Sequence, residues 1–181
     1  ERRTQIPLPQ IAIVGYTNAG KSTLLNVLTR QNAVYADDKL FATLDPTTRR
    51  VHMPAGGEML FTDTVGFIQK LPHSLVSSFR ATLEETSFAD VILHVHDASS
   101  PHRNAQAETV RQIITDLGAQ TIPVIDVFNK IDLLSPARLA LLQAQNPQGS
   151  FISAGNKLGL TELLEQVEEN VARRWKLRRL T

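Results

Sequence analysis

The sequence predicts an α/β fold of three layers: a mostly parallel six-stranded sheet, helices on both faces, and one antiparallel hairpin. Three observations carry this. Apolar runs alternate with amphipathic stretches from end to end. Most of those runs are uniformly apolar instead of alternating, as strands covered on both faces are. The weaker run "RRVHMP" (49–54) meets the next strand through "PAGG", which has the glycines of a hairpin turn.

The strands are expected at "QIAIV" (10–14), 49–54, "EMLFTD" (58–63), "ADVILHVHD" (89–97), "TIPVIDVFNK" (121–130) and "SFISA" (150–154). Helices should follow over 21–30, 74–86, 103–117, 136–145 and 160–178. Leu160, Leu163, Leu164, Val167, Val171 and Trp175 keep to one face of the last. Gly118 follows Leu117 as a helix stop. The order β-α-β-β-α-β-α-β-α-β-α is that of an open, doubly wound sheet. Only 31–48 resists assignment, and connections of that length in compact domains are usually functional.

With 181 residues, 42% hydrophobic and 20% charged, the chain suits one globular domain. A net charge of +1 gives no argument for nucleic-acid binding from the total. The absence of cysteine excludes disulfides and thiolate metal sites. No apolar run spans a bilayer and no signal-peptide pattern opens the chain, so a cytoplasmic domain without a membrane partner is expected, and a monomer. The chain opens on Glu1, which suggests a piece of something longer.

"GYTNAGKS" (15–22) follows an apolar strand and opens a helix, the context that a phosphate-binding loop requires. Gly15 and Gly20 let the backbone curl so that the N–H groups around Asn18, Ala19 and Gly20 point at phosphate oxygens. The helix N-terminus, through Ser22 and Thr23, adds partial positive charge there. Lys21 can reach the β- and γ-phosphates, and the Ser22 hydroxyl can ligate Mg²⁺.

"NKID" (129–132) ends an apolar strand, where an open parallel sheet places its ligands. Asp132 can accept from both N1–H and the N2 amino group of guanine. Adenine offers neither donor, a mismatch that discriminates by roughly 10⁴-fold or more. Lys130 can lay its stem along the base, and Asn129 can tie the base to the phosphate loop. Ser153 and Ala154, in "SAGNKLG" (153–159), follow about one strand later, and the Ala154 N–H can meet guanine O6.

The unassigned stretch then acquires a role. A threonine that ligates Mg²⁺ only when a γ-phosphate is present makes its loop a sensor of the triphosphate. "LDPTTR" (44–49) offers Thr47 and Thr48; Thr47, directly after Asp45-Pro46, is favoured and Thr48 stays open. Asp63, in "DTVGFI" (63–68), would hold the metal's water shell, and the Gly66 N–H would meet the γ-phosphate. The next position often carries a glutamine that orients the attacking water. Here it is Phe67, which can neither donate nor accept a hydrogen bond.

Other residues read more plainly. His94 and His96 share a strand face but lack a further histidine or cysteine nearby, so they are read as packed strand residues. Arg49, Arg80 and Arg103 are read as solvated or paired rather than as catalytic arginines. The tail "RRWKLRR" (173–179) puts five cations in seven residues, either as a solvated helix end or as a contact for an anionic partner such as RNA.

Taken together, "GYTNAGKSTL", "FATLDPTTR", "DTVGFIQKLPHSLVSSFRATLEE" and "NKID" resemble the GTPase domain of the HflX family. The first and last are shared by all such GTPases; the middle two are the specific ones. The resemblance covers 10–178 and makes 1–9 the end of a linker from an N-terminal domain. It implies the Ras-like P-loop fold, GTP and GDP as ligands, Mg²⁺ as cofactor, and association of the full-length protein with the large ribosomal subunit. It also implies that an apolar residue at the Phe67 position is compatible with hydrolysis. In related GTPases an asparagine at the place of Asn18 helps bind K⁺ near the phosphates. The catalytic set would be Lys21, Thr47 and Gly66. Two other readings remain: a nucleotide-gated binding module for RNA or protein with negligible turnover, and an ATP-using P-loop kinase, against which "NKID" argues.

Overall fold

The computed structural model describes residues 7–29, 47–64 and 88–180. The expected helix over 74–86, most of the stretch 31–48, and Gly66, Phe67 and Arg80 lie outside those residues.

Six strands form one sheet in the order β2-β3-β1-β4-β5-β6: β1 (Gln10–Gly15), β2 (Thr47–His52), β3 (Glu58–Asp63), β4 (Val91–Asp97), β5 (Val124–Asn129) and β6 (Ser150–Phe151). Among the described residues only β2 and β3 pair antiparallel, with Thr47 opposite Asp63 and His52 opposite Glu58; the other strand pairings are parallel. Among the described residues four α-helices cover the sheet: α1 (Lys21–Thr29), α2 (Arg103–Asp116), α3 (Pro136–Gln145) and α4 (Leu160–Leu180).

Alternation along each strand decides what it meets. Ile11 and Ile13 of β1 join Leu24 and Leu25 of α1 and Leu163 and Val167 of α4 in one core. Ala12 and Val14 point the other way, onto Val110 and Ile114 of α2. Phe128 packs on Leu142 of α3 on that second face. Both faces of β1 and β4 are therefore buried, which is why their runs are unbroken in the sequence.

Several boundaries differ from expectation, two of them for a visible local reason. The strand expected at 121–130 begins at Val124. Before it, the Ile122 N–H turns back to the Ala119 carbonyl, and Pro123 has no N–H for a ladder. The strand expected at 150–154 is only two residues long, because Ser153 leaves the sheet to bridge Leu158. The hairpin's first strand begins at Thr47, two residues early, so both candidate threonines lie in β2. Gly118 does close α2, at φ +71° with its N–H on the Thr115 carbonyl.

The basic tail folds back on its own chain. Asp90, 7% exposed, accepts from the Gln10 N–H at 2.9 Å, from Trp175 Nε1 at 3.3 Å and from Arg178 Nη1 at 3.3 Å. One carboxylate thus ties the starts of β1 and β4 to the end of α4. Removing it leaves part-buried donors unpaired, so Asp90→Ala should cost about 1–3 kcal/mol of folding stability. Urea unfolding checks this, and a change under about 0.5 kcal/mol would mean that the staple does not act.

Candidate nucleotide site

The C-terminal ends of β1, β3, β4 and β5 all point to one edge of the sheet, where an open α/β fold places its ligands. Between Gly15 and Lys21 the chain makes a tight loop, closed by the Ala19 N–H on the Tyr16 carbonyl at 3.1 Å. Asn18 and Gly20 have φ of +67° and +97°. A Cβ on Gly15 would come within 2.5 Å of the Val95 carbonyl oxygen, and one on Gly20 within 2.3 Å of Asn129 Nδ2. The two glycines are thus required by close approach to β4 and β5.

Lys21 opens α1 and is 7% exposed. Burial lowers its ammonium below the usual lysine value, partly offset by the negative charge of Asp63. Burial likewise raises the Asp63 carboxyl, against the Ser22 hydroxyl and the charges of Lys21 and Arg49. Each charge is poorly solvated where it stands, and each would gain from a polyanion or a cation placed between them.

Ser22 Oγ donates to Asp63 Oδ2 at 2.8 Å, while Asp63 Oδ1 is buried without a hydrogen-bond partner. Two hard oxygen donors from facing elements, one of them unsatisfied, fit a small cation such as Mg²⁺. Thr47 is the register partner of Asp63 across the hairpin. The Thr48 hydroxyl is taken up by the Thr62 hydroxyl at 2.8 Å. Arg49 Nη1 donates to Asn26 Oδ1 of α1 at 3.1 Å, and Arg103 Nη1 to the Ala98 carbonyl at 3.1 Å.

The second half of the site is bonded to the first. Asn129 is 3% exposed; its Nδ2 donates to the Ala19 carbonyl at 2.9 Å and its Oδ1 accepts from the Ala154 N–H at 3.0 Å. The N–H expected to meet guanine O6 is therefore engaged by Asn129 here. Lys130, at φ +66°, sends its Nζ to the Asn18 carbonyl at 2.7 Å and to Asp97 Oδ2 at 3.0 Å. Asp132 lies in the short 3₁₀ turn Ile131–Leu133, with its Oδ1 accepting from Ser153 Oγ at 2.9 Å. Thr23 is exposed one residue after Ser22.

One participant and one carboxylate on the neighbouring strand carried no signal of their own in the sequence. Asp97, at the end of β4, anchors Lys130. Burial acts to raise its pKa, but hydrogen bonds from Ser99 and Lys130 outweigh it and hold the carboxyl below its usual value. Asp126, three residues before Asn129, meets both His96 Nε2 at 2.8 Å and His94 Nδ1 at 3.5 Å. The parallel register of β4 and β5 makes both contacts, since it sets His94 opposite Asp126.

Comparison with known proteins agrees with this geometry. Residues 10–130 match the family described as 50S ribosome-binding GTPase. A GTPase HflX of Caldanaerobacter subterraneus is 52% identical over 171 residues, 94% of this chain and 39% of that protein. The chain thus spans about two fifths of the length of the curated relatives it matches. A GTP-binding protein from Sulfolobus solfataricus, solved with GDP, superposes with a TM-score of 0.72 at 25% identity, over 91% of this chain and 53% of that one. Era, solved with MgGDPNP and a segment of 16S ribosomal RNA, gives 0.71 at 30% identity, over 91% and 57%. No helix among the described residues is long and apolar enough to cross a membrane. The chain belongs to the 50S ribosome-binding GTPase family, as a G domain of the HflX type.

Proposed function

We propose that this chain is the GTP-hydrolysing switch of a longer factor that acts on the large ribosomal subunit. One arrangement supports the reading above others: the phosphate loop and the base-recognition turn are bonded to each other through Asn129 and Lys130. A nucleotide that touches both must carry phosphates and a base at a fixed separation. In this reading Gly15, Asn18, Ala19, Gly20, Ser22 and Thr23 cradle the phosphates with N–H groups, and Lys21 neutralises the β- and γ-oxygens. Ser22, Asp63 and Thr47 would hold Mg²⁺, which when bound would neutralise charge on the phosphates. Asn129, Lys130, Asp132, Ser153 and Ala154 take the base. The Gly66 N–H meets the γ-phosphate, so that hydrolysis releases the segment.

Phosphoryl transfer needs a placed water and charge stabilisation more than a covalent partner. Phe67 then serves as an apolar wall, and the water is placed by backbone, by K⁺ or by the ribosome. Asn18, exposed at the lip of the loop, is the candidate K⁺ ligand. Basal turnover should be slow, on the order of 10⁻⁴–10⁻³ s⁻¹ as in unassisted switches. Phe67→Ala should change it by less than about tenfold, under 1.4 kcal/mol of barrier. If K⁺ supplies the missing charge, exchanging Na⁺ for K⁺ should raise the rate and Asn18→Ala should remove that gain; an unchanged rate leaves the backbone or the ribosome as the source. The deciding experiment is phosphate release from GTP by the full-length protein, with and without large subunits. No turnover in either case, with GTP still bound, would leave a nucleotide-gated binding module in place of an enzyme.

A further inference from the structure

The polar cluster on the other side of β4 has no part in the nucleotide site. His94 and His96 are alternate residues of one strand, so their rings stand on one face, 3.9 Å apart between centroids and 30° from parallel. Asp126 reaches them from β5. The three ligand atoms lie within 4.8 Å of one another. Ile92 and Val110 lie on one side and Phe128 and Leu142 on the other, while Tyr16, Asp97, Arg103 and Gln106 line the space beside the rings.

Hydrogen bonding alone leaves this cluster incomplete. Asp126 Oδ1 serves His96 Nε2 at 2.8 Å, whereas His94 Nδ1, on a residue 2% exposed, has no hydrogen-bond partner. A buried polar atom without a partner is costly, and native structures leave few. If Nδ1 carries no proton, its lone pair faces a carboxylate oxygen. If it carries one, Asp126 Oδ1 stands 3.5 Å away and is already engaged by His96. A cation between the three atoms would satisfy all of them at once.

The geometry points to a site for one divalent transition-metal ion of borderline softness, held by His94 Nδ1, His96 Nε2 and Asp126 Oδ1. Tetrahedral zinc with bonds near 2.0–2.1 Å separates its ligands by about 3.3–3.5 Å. The His94–Asp126 distance of 3.5 Å already matches; the His96–Asp126 distance of 2.8 Å must open, and the two rings must splay from their close, tilted arrangement so that both lone pairs meet at the ion. Burial, then the neighbouring His96, hold His94 down to about 3, so its imidazole is the neutral form a metal requires. Two imidazoles and one carboxylate favour Zn²⁺ or Co²⁺ over Mg²⁺, which prefers oxygen alone. The Asp126 side chain is 38% exposed, which gives the ion an entry and leaves a fourth position for water. Arg111 of α2, whose charge acts on both His94 and Asp126, pairs with Glu108 at 3.6 Å.

The site is separate from the Ser22–Asp63 pair, so the two can be probed apart. Chelator-treated protein saturated with GDP and excess Mg²⁺ is titrated with Zn²⁺ by calorimetry and with Co²⁺ by visible absorption. One Zn²⁺ per chain and the strong ligand-field bands of four-coordinate Co²⁺ are expected. His96→Gln and Asp126→Asn should each weaken Zn²⁺ by at least about tenfold, since losing even a ligand's outer partner costs 10–100-fold. Asp126→Asn keeps the volume and an oxygen for His96, and circular dichroism verifies its fold. Should both variants unfold, paramagnetic Co²⁺ in the unmodified chain decides, by broadening the ring resonances of His94 and His96. Absence of stoichiometric Zn²⁺ binding, equal affinity in folded variants, or broadening confined to other histidines would each overturn the site.

Discussion

GDP should bind this chain at least about 100-fold more tightly than ADP, and Asp132→Asn should move the preference to xanthine nucleotides. The Ser153 hydroxyl donates to Asp132 Oδ1 at 2.9 Å. That bond orients the carboxylate and leaves Oδ2 with capacity for two donors, which N1–H and the N2 amino group of guanine supply. Adenine would set a bare N1 against the carboxylate, and a charged acceptor left without a donor is costly. In Asp132→Asn, Ser153 holds the amide oxygen in the same place and turns the NH₂ towards the base. That donor suits the C2 carbonyl of xanthine and opposes the amino group of guanine. Calorimetry with GDP, ADP and xanthosine diphosphate measures all three. Comparable affinity for ADP and GDP in the unaltered chain would remove guanine from the reading.

Asn129→Ala should weaken GDP binding by about 100-fold or more and lower the stability of the nucleotide-free chain as well. Both effects have one origin. The Asn129 amide is 3% exposed and bridges the Ala19 carbonyl to the Ala154 N–H. Truncation strands a buried acceptor on the phosphate loop and a buried donor on the base side, at about 1–3 kcal/mol each. It also removes what fixes the spacing of the two halves, so a ligand that spans them must order them itself. Gly20→Ala attacks the same contact from the other side, because its Cβ would meet Asn129 Nδ2. Calorimetry and thermal unfolding on each variant are the measurements. A stable Asn129→Ala chain with unchanged GDP affinity would mean that the bridge is incidental.

The parts legible in the sequence are those where one residue type answers one local demand. Uniform apolar runs at 10–14 and 89–97 announce strands buried on both faces. The glycines of 15–20 announce a loop whose backbone must curl. "PAGG" announces the hairpin turn, and the last helix shows its face through period alone. Boundaries were less legible where a side reason intervened, as at Pro123, or at Ser153, whose bridge to Leu158 depends on chain that comes later.

By itself, then, the sequence determined the element order, the phosphate loop and the family, because those depend on local propensity, spacing and motif. Only the tertiary structure decided which distant residues meet, because contacts across strands follow register, and register is set by packing the whole sheet. Asp97 under Lys130 and Asp90 beneath the basic tail are contacts of this kind. Asp126 is the clearest case. Thirty-two residues after His94, it looks like an unremarkable strand carboxylate in the sequence, and the pairing of β4 with β5 sets it against two buried imidazoles.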